Sequence, residues 1–226
     1  MRARANLFFS PHPDDLVYSA FAAITEHAGK GDAIVFFNAT RFTKWGLLPM
    51  NVATLVRTVE ETIILTRLRL GCSFMWIDDY SLRDKDNEKK ELSSNLVPFR
   101  QPLRNLFCPL GIGGHPDHLA VRNFAIEYWL KYKVKPRIWF YEDLPYAARI
   151  PKIDDAVEKC ISQIPHLQGL LTIRYKPLNS TLFRKKLFFS RLYVTQNDHT
   201  ALFEDHGKQL GKKCDSPYAE RYCCSG

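Results

Sequence analysis

The chain has 226 residues, 46% of them hydrophobic and 25% charged, with a formal net charge of +8. Its length suits one large α/β domain over residues 1–226 better than two small ones. No stretch approaches the ~18 consecutive apolar residues that a membrane helix needs, which argues against a membrane partner.

In chain order, Asn6 to Ser10 reads as a buried first strand and Leu16 to His27 as a helix closed by Gly29 and Gly31. Asp32 to Ala39 supplies a second strand. From Asn51 onward, Val52, Leu55, Val56, Val59 and Ile63 follow the i, i+3, i+4, i+7 pattern of a helix packed on a sheet. Gly71 ends that helix, and Cys72 to Ile77 is the next strand. Residues 79–101 are polar and aperiodic, a long surface loop. Asn105 to Leu110 is a strand, Gly111 to Gly114 a turn, and Val121, Phe124, Ala125 and Tyr128 one face of a helix stopped near Pro136. Arg137 to Tyr141 closes a core spanning residues 5–150. The part from 151 to 226 is less regular, with a helix at 152–164, a strand at 171–176, further helical stretches and an irregular tail. The alternation predicts a mostly parallel sheet flanked by helices.

The six cysteines (Cys72, Cys108, Cys160, Cys214, Cys223 and Cys224) show no metal-finger or redox spacing, and Leu7-Phe8-Phe9 is too short for a signal-peptide core. Both observations read as a reduced, cytoplasmic protein. Cys223 and Cys224 fall in the expected tail. The positive charge is scattered apart from Lys131, Lys133, Lys135 and Arg137, and from Arg184, Lys185 and Lys186, each where a solvated helix end or face is expected. That distribution argues against a nucleic-acid partner, which would show itself by steeply salt-dependent binding.

Two near-copies of one short motif carry the chemistry: His12-Pro13-Asp14-Asp15 and His115-Pro116-Asp117-His118. Each follows a strand and precedes a helix, where an open α/β sheet binds its ligands. Proline cannot extend a strand, so it helps to end the strand and present the carboxylate behind it. For a single copy, the simplest reading is an aspartate capping its helix: Asp14 or Asp15 before Leu16, Asp117 before Val121. Two copies, each with a further ligand-type residue, point instead to a mononuclear metal site. Three of the six groups would hold a catalytic zinc, and the rest would serve acid–base work and orientation.

At these residues the chain resembles the PIG-L / LmbE-like family of zinc-dependent N-deacetylases, which carries an N-terminal His-Pro-Asp-Asp-Glu and a later His-x-Asp-His. Arg57 with Glu60 and Glu61, Asp79 with Leu82-Arg83, Tyr141 to Tyr146, Tyr193-x-Thr195-Gln196 and Tyr218 to Tyr222 are similar to its other blocks. The resemblance implies a Rossmann-like fold and one zinc per chain on His12, Asp15 and His118; iron, cobalt or nickel could substitute. It implies Asp14 as the base that takes a proton from the metal-bound water, and His115 as an imidazolium facing the oxyanion, its ring held by Asp117. It implies hydrolysis of the acetamide of an N-acetylated amino sugar or conjugate. One departure is Leu16, where the family has glutamate. That change admits a catalytically impaired sugar- or nucleotide-binding module as a rival, and an amidase for a thiol conjugate is another.

The remaining candidates face the substrate or serve structure. Arg57 either holds a substrate hydroxyl or phosphate or pairs on the surface with Glu61. Asp79, Glu142, Asp143 and Tyr146 follow strand ends on the same rim, where substrate contact and turn capping compete. Trp76 is expected in the core and Trp45 beside a sugar ring. His199 and His206 are expected in solvent.

Overall fold

The computed structural model describes residues 5–83, 92, 97 and 102–226, so most of the expected 79–101 loop lies outside the described residues. A seven-stranded sheet organises the chain. Its strands are β1 (Asn6–Ser10), β2 (Gly31–Val35), β5 (Gly71–Phe74), β6 (Asn105–Pro109), β7 (Arg137–Tyr141), β8 (Leu171–Leu178) and β9 (Tyr218–Ser225), in the order β5-β2-β1-β6-β7-β9-β8. The first five neighbours pair in parallel, and β9 runs antiparallel to both β7 and β8. A two-stranded hairpin, β3 (Phe42–Thr43) and β4 (Gly46–Leu47), stands apart from it.

The helices are α1 (Asp15–Ser19), α2 (Phe21–Glu26), α3 (Met50–Arg67), α4 (Pro116–Leu130), α5 (Ile153–Ser162), α6 (Ser180–Arg191) and α7 (Thr200–Gly211). Aromatic packing holds the sheet centre. Phe8 and Phe107 stack across β1 and β6 with centroids 4.4 Å apart, Phe9 meets Phe36, Phe124 and Tyr128, and the Tyr141 hydroxyl donates to the Phe9 carbonyl at 2.8 Å.

From β1 the chain builds outward through β2 to β5, then crosses back to β6 on the other side of β1. The strand order therefore reverses between β1 and β6, where α/β sheets open a crevice at the carboxyl ends of the strands. Both His-Pro-Asp motifs leave the sheet there.

Four expectations need correction. The helix expected from Leu16 to His27 is two, broken at Ala20, because the Glu220 carboxylate from β9 accepts the Phe21 and Ala22 amides at 3.1 and 2.8 Å. The expected irregular tail is β9, an internal strand, and the 151–226 part is as regular as the core. Its charged residues are buried in pairs that a linear reading does not reveal: Glu220 accepts from Lys186 at 2.6 Å, and Arg221 meets Glu142 and Asp154. Lys186 is accordingly not on a solvated face. Cys223 and Cys224 are buried in β9 as free thiols, and burial pushes Cys223 up to about 12, away from easy oxidation.

The third correction concerns α3, whose apolar stripe of Val52, Leu55, Val59 and Ile63 faces solvent while Arg57, Glu60 and Glu61 face inward. Gly71 does not end this helix; it opens β5. The fourth is Trp76, which is exposed rather than core, its amide bonded to the Asn38 side chain at 2.8 Å.

Candidate active site

The turn after β1 presents His12, Asp14 and Asp15, and the turn after β6 presents His115, Asp117 and His118. The simple capping reading does not hold for these aspartates. Asp14 stands at the α1 N-cap without a side-chain cap bond, and α4 is capped by His115, whose Nδ1 accepts the Asp117 amide at 3.3 Å. Asp15 turns back and accepts the His12 amide at 2.8 Å.

His12, Asp15 and His118 each offer a ligand atom, and these atoms all lie within 4.8 Å of one another. His12 Nδ1 is 3.2 Å and His118 Nε2 3.4 Å from Asp15 Oδ2. The far side of each ring is held. His12 Nε2 donates to Asp117 Oδ2 at 2.8 Å, and His118 Nδ1 to Asp143 Oδ1 at 2.6 Å. Each outer bond places a proton on the far nitrogen and turns the near lone pair inward. His118 Nε2 is buried with no hydrogen-bond partner among the described residues. Two imidazole nitrogens, one of them the orphaned His118 Nε2, and a carboxylate oxygen fit a divalent transition metal such as zinc. A second group, His12, His115 and Asp117, is also close enough to bind a metal. It fits less well, because Asp117 is already committed to Arg83, the Tyr80 amide and His12.

The electrostatics are those of a cation site. Burial opposes charge on His12, but its bonds to Asp117 and Asp15 outweigh that and push it up to about 10. Burial also opposes ionisation of Asp15, yet His118 and His12 draw it down to about 2. Asp14 goes the other way: burial lifts it to about 8 against the pull of Arg57. Burial and the neighbouring His12 and His118 depress His115 to about 4.

Several expected residues sit elsewhere in the network. Asp117 holds the ring of His12 rather than that of His115. Asp143 is fully buried; its Oδ2 accepts the Gly111 and Ile112 amides, both at 2.8 Å, and its Oδ1 orients His118, so it has no free edge for substrate. Glu142 points to the opposite side, bound to Arg221 and to His206 Nε2 at 2.7 Å. His206 is therefore buried rather than solvated. Arg57 is not a surface partner of Glu61: it is buried, donates to the Pro13 carbonyl at 2.9 Å and lies 3.5 Å from Asp14 Oδ2.

A cavity of about 330 Å³ opens over these groups, and Arg57, Asp79 and Tyr146 line it. Asp79 also caps its own turn, accepting from the Ser81 amide at 3.0 Å. Tyr146 lies with its ring 5.4 Å from that of His118; a side chain at Gly113 would meet the Tyr146 Cβ at 2.8 Å, so glycine there admits the tyrosine. Tyr18, Phe42, Gln196, Asn197 and His199 line the cavity too. Sequence reasoning missed these, although the Tyr193-x-Thr195-Gln196 block pointed toward them. Trp45 does not line it.

Comparison with known proteins agrees with this geometry. Residues 7–129 match the PIG-L family, described as GlcNAc-PI de-N-acetylase. A 2'-N-acetylparomamine deacetylase of Streptomyces fradiae is 27% identical, over 90% of this chain and 77% of that protein. Two solved structures share the fold. The zinc-inhibited form of teicoplanin deacetylase Orf2 aligns with a TM-score of 0.69 at 20% identity, over 97% of each chain. The N,N'-diacetylchitobiose deacetylase of Pyrococcus horikoshii aligns with a TM-score of 0.71 at 17% identity, over 99% of this chain and 84% of that one. With more than half its length matched to the family, and both paired motifs at the expected strand ends, this chain belongs to the PIG-L family.

Proposed function

We propose that this protein is a zinc-dependent N-deacetylase that removes the acetyl group from an N-acetylated amino sugar or a conjugate of one. The observation that carries the proposal is the convergence of His12, Asp15 and the orphaned His118 Nε2 beneath a cavity that also holds Asp14 and His115. Relatives named for acetylparomamine, teicoplanin and diacetylchitobiose support an acetylated sugar as the substrate class.

A zinc ion on His12, Asp15 and His118 supplies Lewis acidity that polarises the acetyl carbonyl and acidifies water. Asp14 accepts the proton of the water that attacks the acyl carbon. It then returns that proton to the departing amine, which leaves poorly without one. The C–N bond breaks, water oxygen stays with the acyl carbon, and the products are acetate and a free amine. His115 stays neutral in its depressed range; because its Nδ1 accepts the Asp117 amide, its proton sits on Nε2. Its part is therefore a neutral donor to the developing oxyanion, rather than the imidazolium expected from sequence. Arg57, Asp79 and Tyr146 are proposed to contact the sugar, whereas Asp143 and Asp117 orient ligands.

The retained His12, Asp14, Asp15 and His118 favour activity over the impaired-module rival despite Leu16. The Leu16 side chain itself is packed in the hydrophobic core.

The test is acetate release from a panel of N-acetylglucosamine-containing glycosides, using metal-free protein with and without one equivalent of zinc. Zinc-dependent release from a panel member establishes the reaction. Silence across the panel, from protein shown to bind one zinc, overturns this reading in favour of a binding module.

A further inference from the structure

Tyr18 lies one turn of α1 after Asp14, and its amide donates to the Asp14 carbonyl at 3.1 Å. A helical side chain covers the turn before its own Cα, so the Tyr18 ring lies over the turn that carries the proposed base. That ring is packed against the 151–226 part. Phe203 has its centroid 4.9 Å away, while Tyr193 and His199 meet the ring nearly edge-on at 5.6 and 6.4 Å. Tyr18 is only 3% exposed, yet it lines the substrate cavity. Buried phenols ordinarily find a hydrogen-bond partner, as Tyr141 does in the Phe9 carbonyl, Tyr193 in Glu61 and Tyr222 in Glu220. The Tyr18 hydroxyl has none among the described residues. It is not sealed away from solvent, so the cavity is where it opens.

We infer that the Tyr18 hydroxyl binds the free hydroxyl on the carbon next to the one bearing the acetamide, the 3-hydroxyl of a 2-acetamido sugar, and that Tyr18 is thereby a specificity-determining residue. The identity of the ligand rests on the deacetylase reading. Place selects this partner. Asp14 returns its proton to the amide nitrogen, so that nitrogen lies beside Asp14, and Asp14 is the charged group that weighs most on the Tyr18 hydroxyl. A group beside the nitrogen meets a ring substituent one carbon along, at C1 or C3. The oxygen at C1 is bonded to the rest of the conjugate, whereas the one at C3 is a free hydroxyl.

Chemistry selects it too. Burial first, and Asp14 next, push the phenol well above the ordinary tyrosine range, so it keeps its proton and can donate and accept at once. A sugar hydroxyl reciprocates on both counts. The ring is already fixed by Tyr193, His199 and Phe203, so little freedom is lost when the bond forms. A sugar lacking the hydroxyl would leave the phenol unpaired in a closed site, which is how hydroxyl-binding sites reject deoxy analogues.

Calorimetry on the zinc-loaded full chain tests this, using methyl glucosaminide, the deacetylated sugar that is not consumed, against its 3-deoxy and 4-deoxy analogues. Wild type is expected to bind the parent about tenfold more tightly than the 3-deoxy sugar, the scale of one hydrogen bond to a buried group. In Tyr18→Phe, which keeps the ring and its packing, that preference should vanish, while any preference over the 4-deoxy sugar stays as in wild type. Each ratio compares ligands on one protein, so partial unfolding of the variant does not move it. Wild type that binds the parent and 3-deoxy sugars alike, or binds neither, overturns the inference. So does a 3-deoxy penalty that survives Tyr18→Phe, or a loss that falls on the 4-deoxy sugar instead. Binding needs no turnover: a chain that releases no acetate yet shows this coupling keeps the Tyr18 contact and loses only the deacetylase reading.

Discussion

Glu61 Oε2 accepts the backbone amide of Asp14 at 3.2 Å and, at the same oxygen, the hydroxyl of Tyr193. Asp14 sits at φ 103°, a conformation that L residues rarely adopt, so this bond holds a strained backbone at the proposed base. Glu61 is fully buried and its Oε1 has no partner among the described residues. Replacing it by alanine should lower kcat about 10–100-fold with a smaller change in KM, because Asp14 loses its position while the cavity lining stays. Retained binding of one zinc, read by metal titration, separates this from general unfolding.

The same carboxylate makes stability depend on pH. Burial raises Glu61 from 4.5 to about 7, so between those values the folded state binds the proton that the unfolded state has lost. Its contribution to stability is fully present below pH 4.5 and falls as pH rises to about 7. The loss is at most about 3 kcal/mol, since each tenfold change in proton affinity is worth about 1.36 kcal/mol. Metal-free Glu61→Gln should therefore gain on wild type in denaturant midpoint between pH 5 and pH 8. A constant difference across that range would show that the carboxylate does not carry the effect.

Asp14→Asn should keep the metal and lose turnover, by ~10²–10⁴-fold for removal of a general base. Measured acetate release near the wild-type rate would remove Asp14 from the mechanism.

Asp143 acts through His118 and never reaches the cavity. Its replacement by asparagine keeps the shape and weakens the bond that fixes the histidine tautomer, so zinc affinity should fall ~10–100-fold. Competition with a chromophoric chelator measures this. A change in KM alone, with zinc affinity intact, would return Asp143 to substrate binding.

Glu142 belongs to a different network. Its replacement by alanine leaves Arg221 buried beside only Asp154 and His206 without its acceptor, which should cost about 3–5 kcal/mol. Thermal unfolding reads the loss, while KM of the folded fraction should not move.

Metal removal should lower the melting temperature reversibly, since a ligand present at 100 times its Kd adds about 2.7 kcal/mol to the folded state. Restoration by one equivalent of zinc in Asp14→Asn, which lacks the base but keeps His12, Asp15 and His118, would show that the metal stabilises independently of turnover.

The sequence by itself determined the sheet class, the bounds of β1 and β7 to the residue, and the two motifs at strand ends. These are local matters: a short apolar run, a proline that stops it and a ligand-rich turn are read within ten residues. Tertiary structure alone decided which histidine each aspartate holds. Asp117 is adjacent to His118 in the chain yet bonds His12 across the β1–β6 crevice, and Asp143 reaches His118 from the neighbouring strand end. It also decided the orientation of α3. Periodicity finds an apolar stripe but not what stands opposite it, and here buried partners for Arg57, Glu60 and Glu61 outweigh burial of Val52, Leu55 and Val59. The strand β9 was hidden for the same reason. The partners that neutralise Glu220 and Arg221, namely Lys186, Glu142 and Asp154, are brought from 34 to 79 residues away, and without them two adjacent charges do not read as a buried strand.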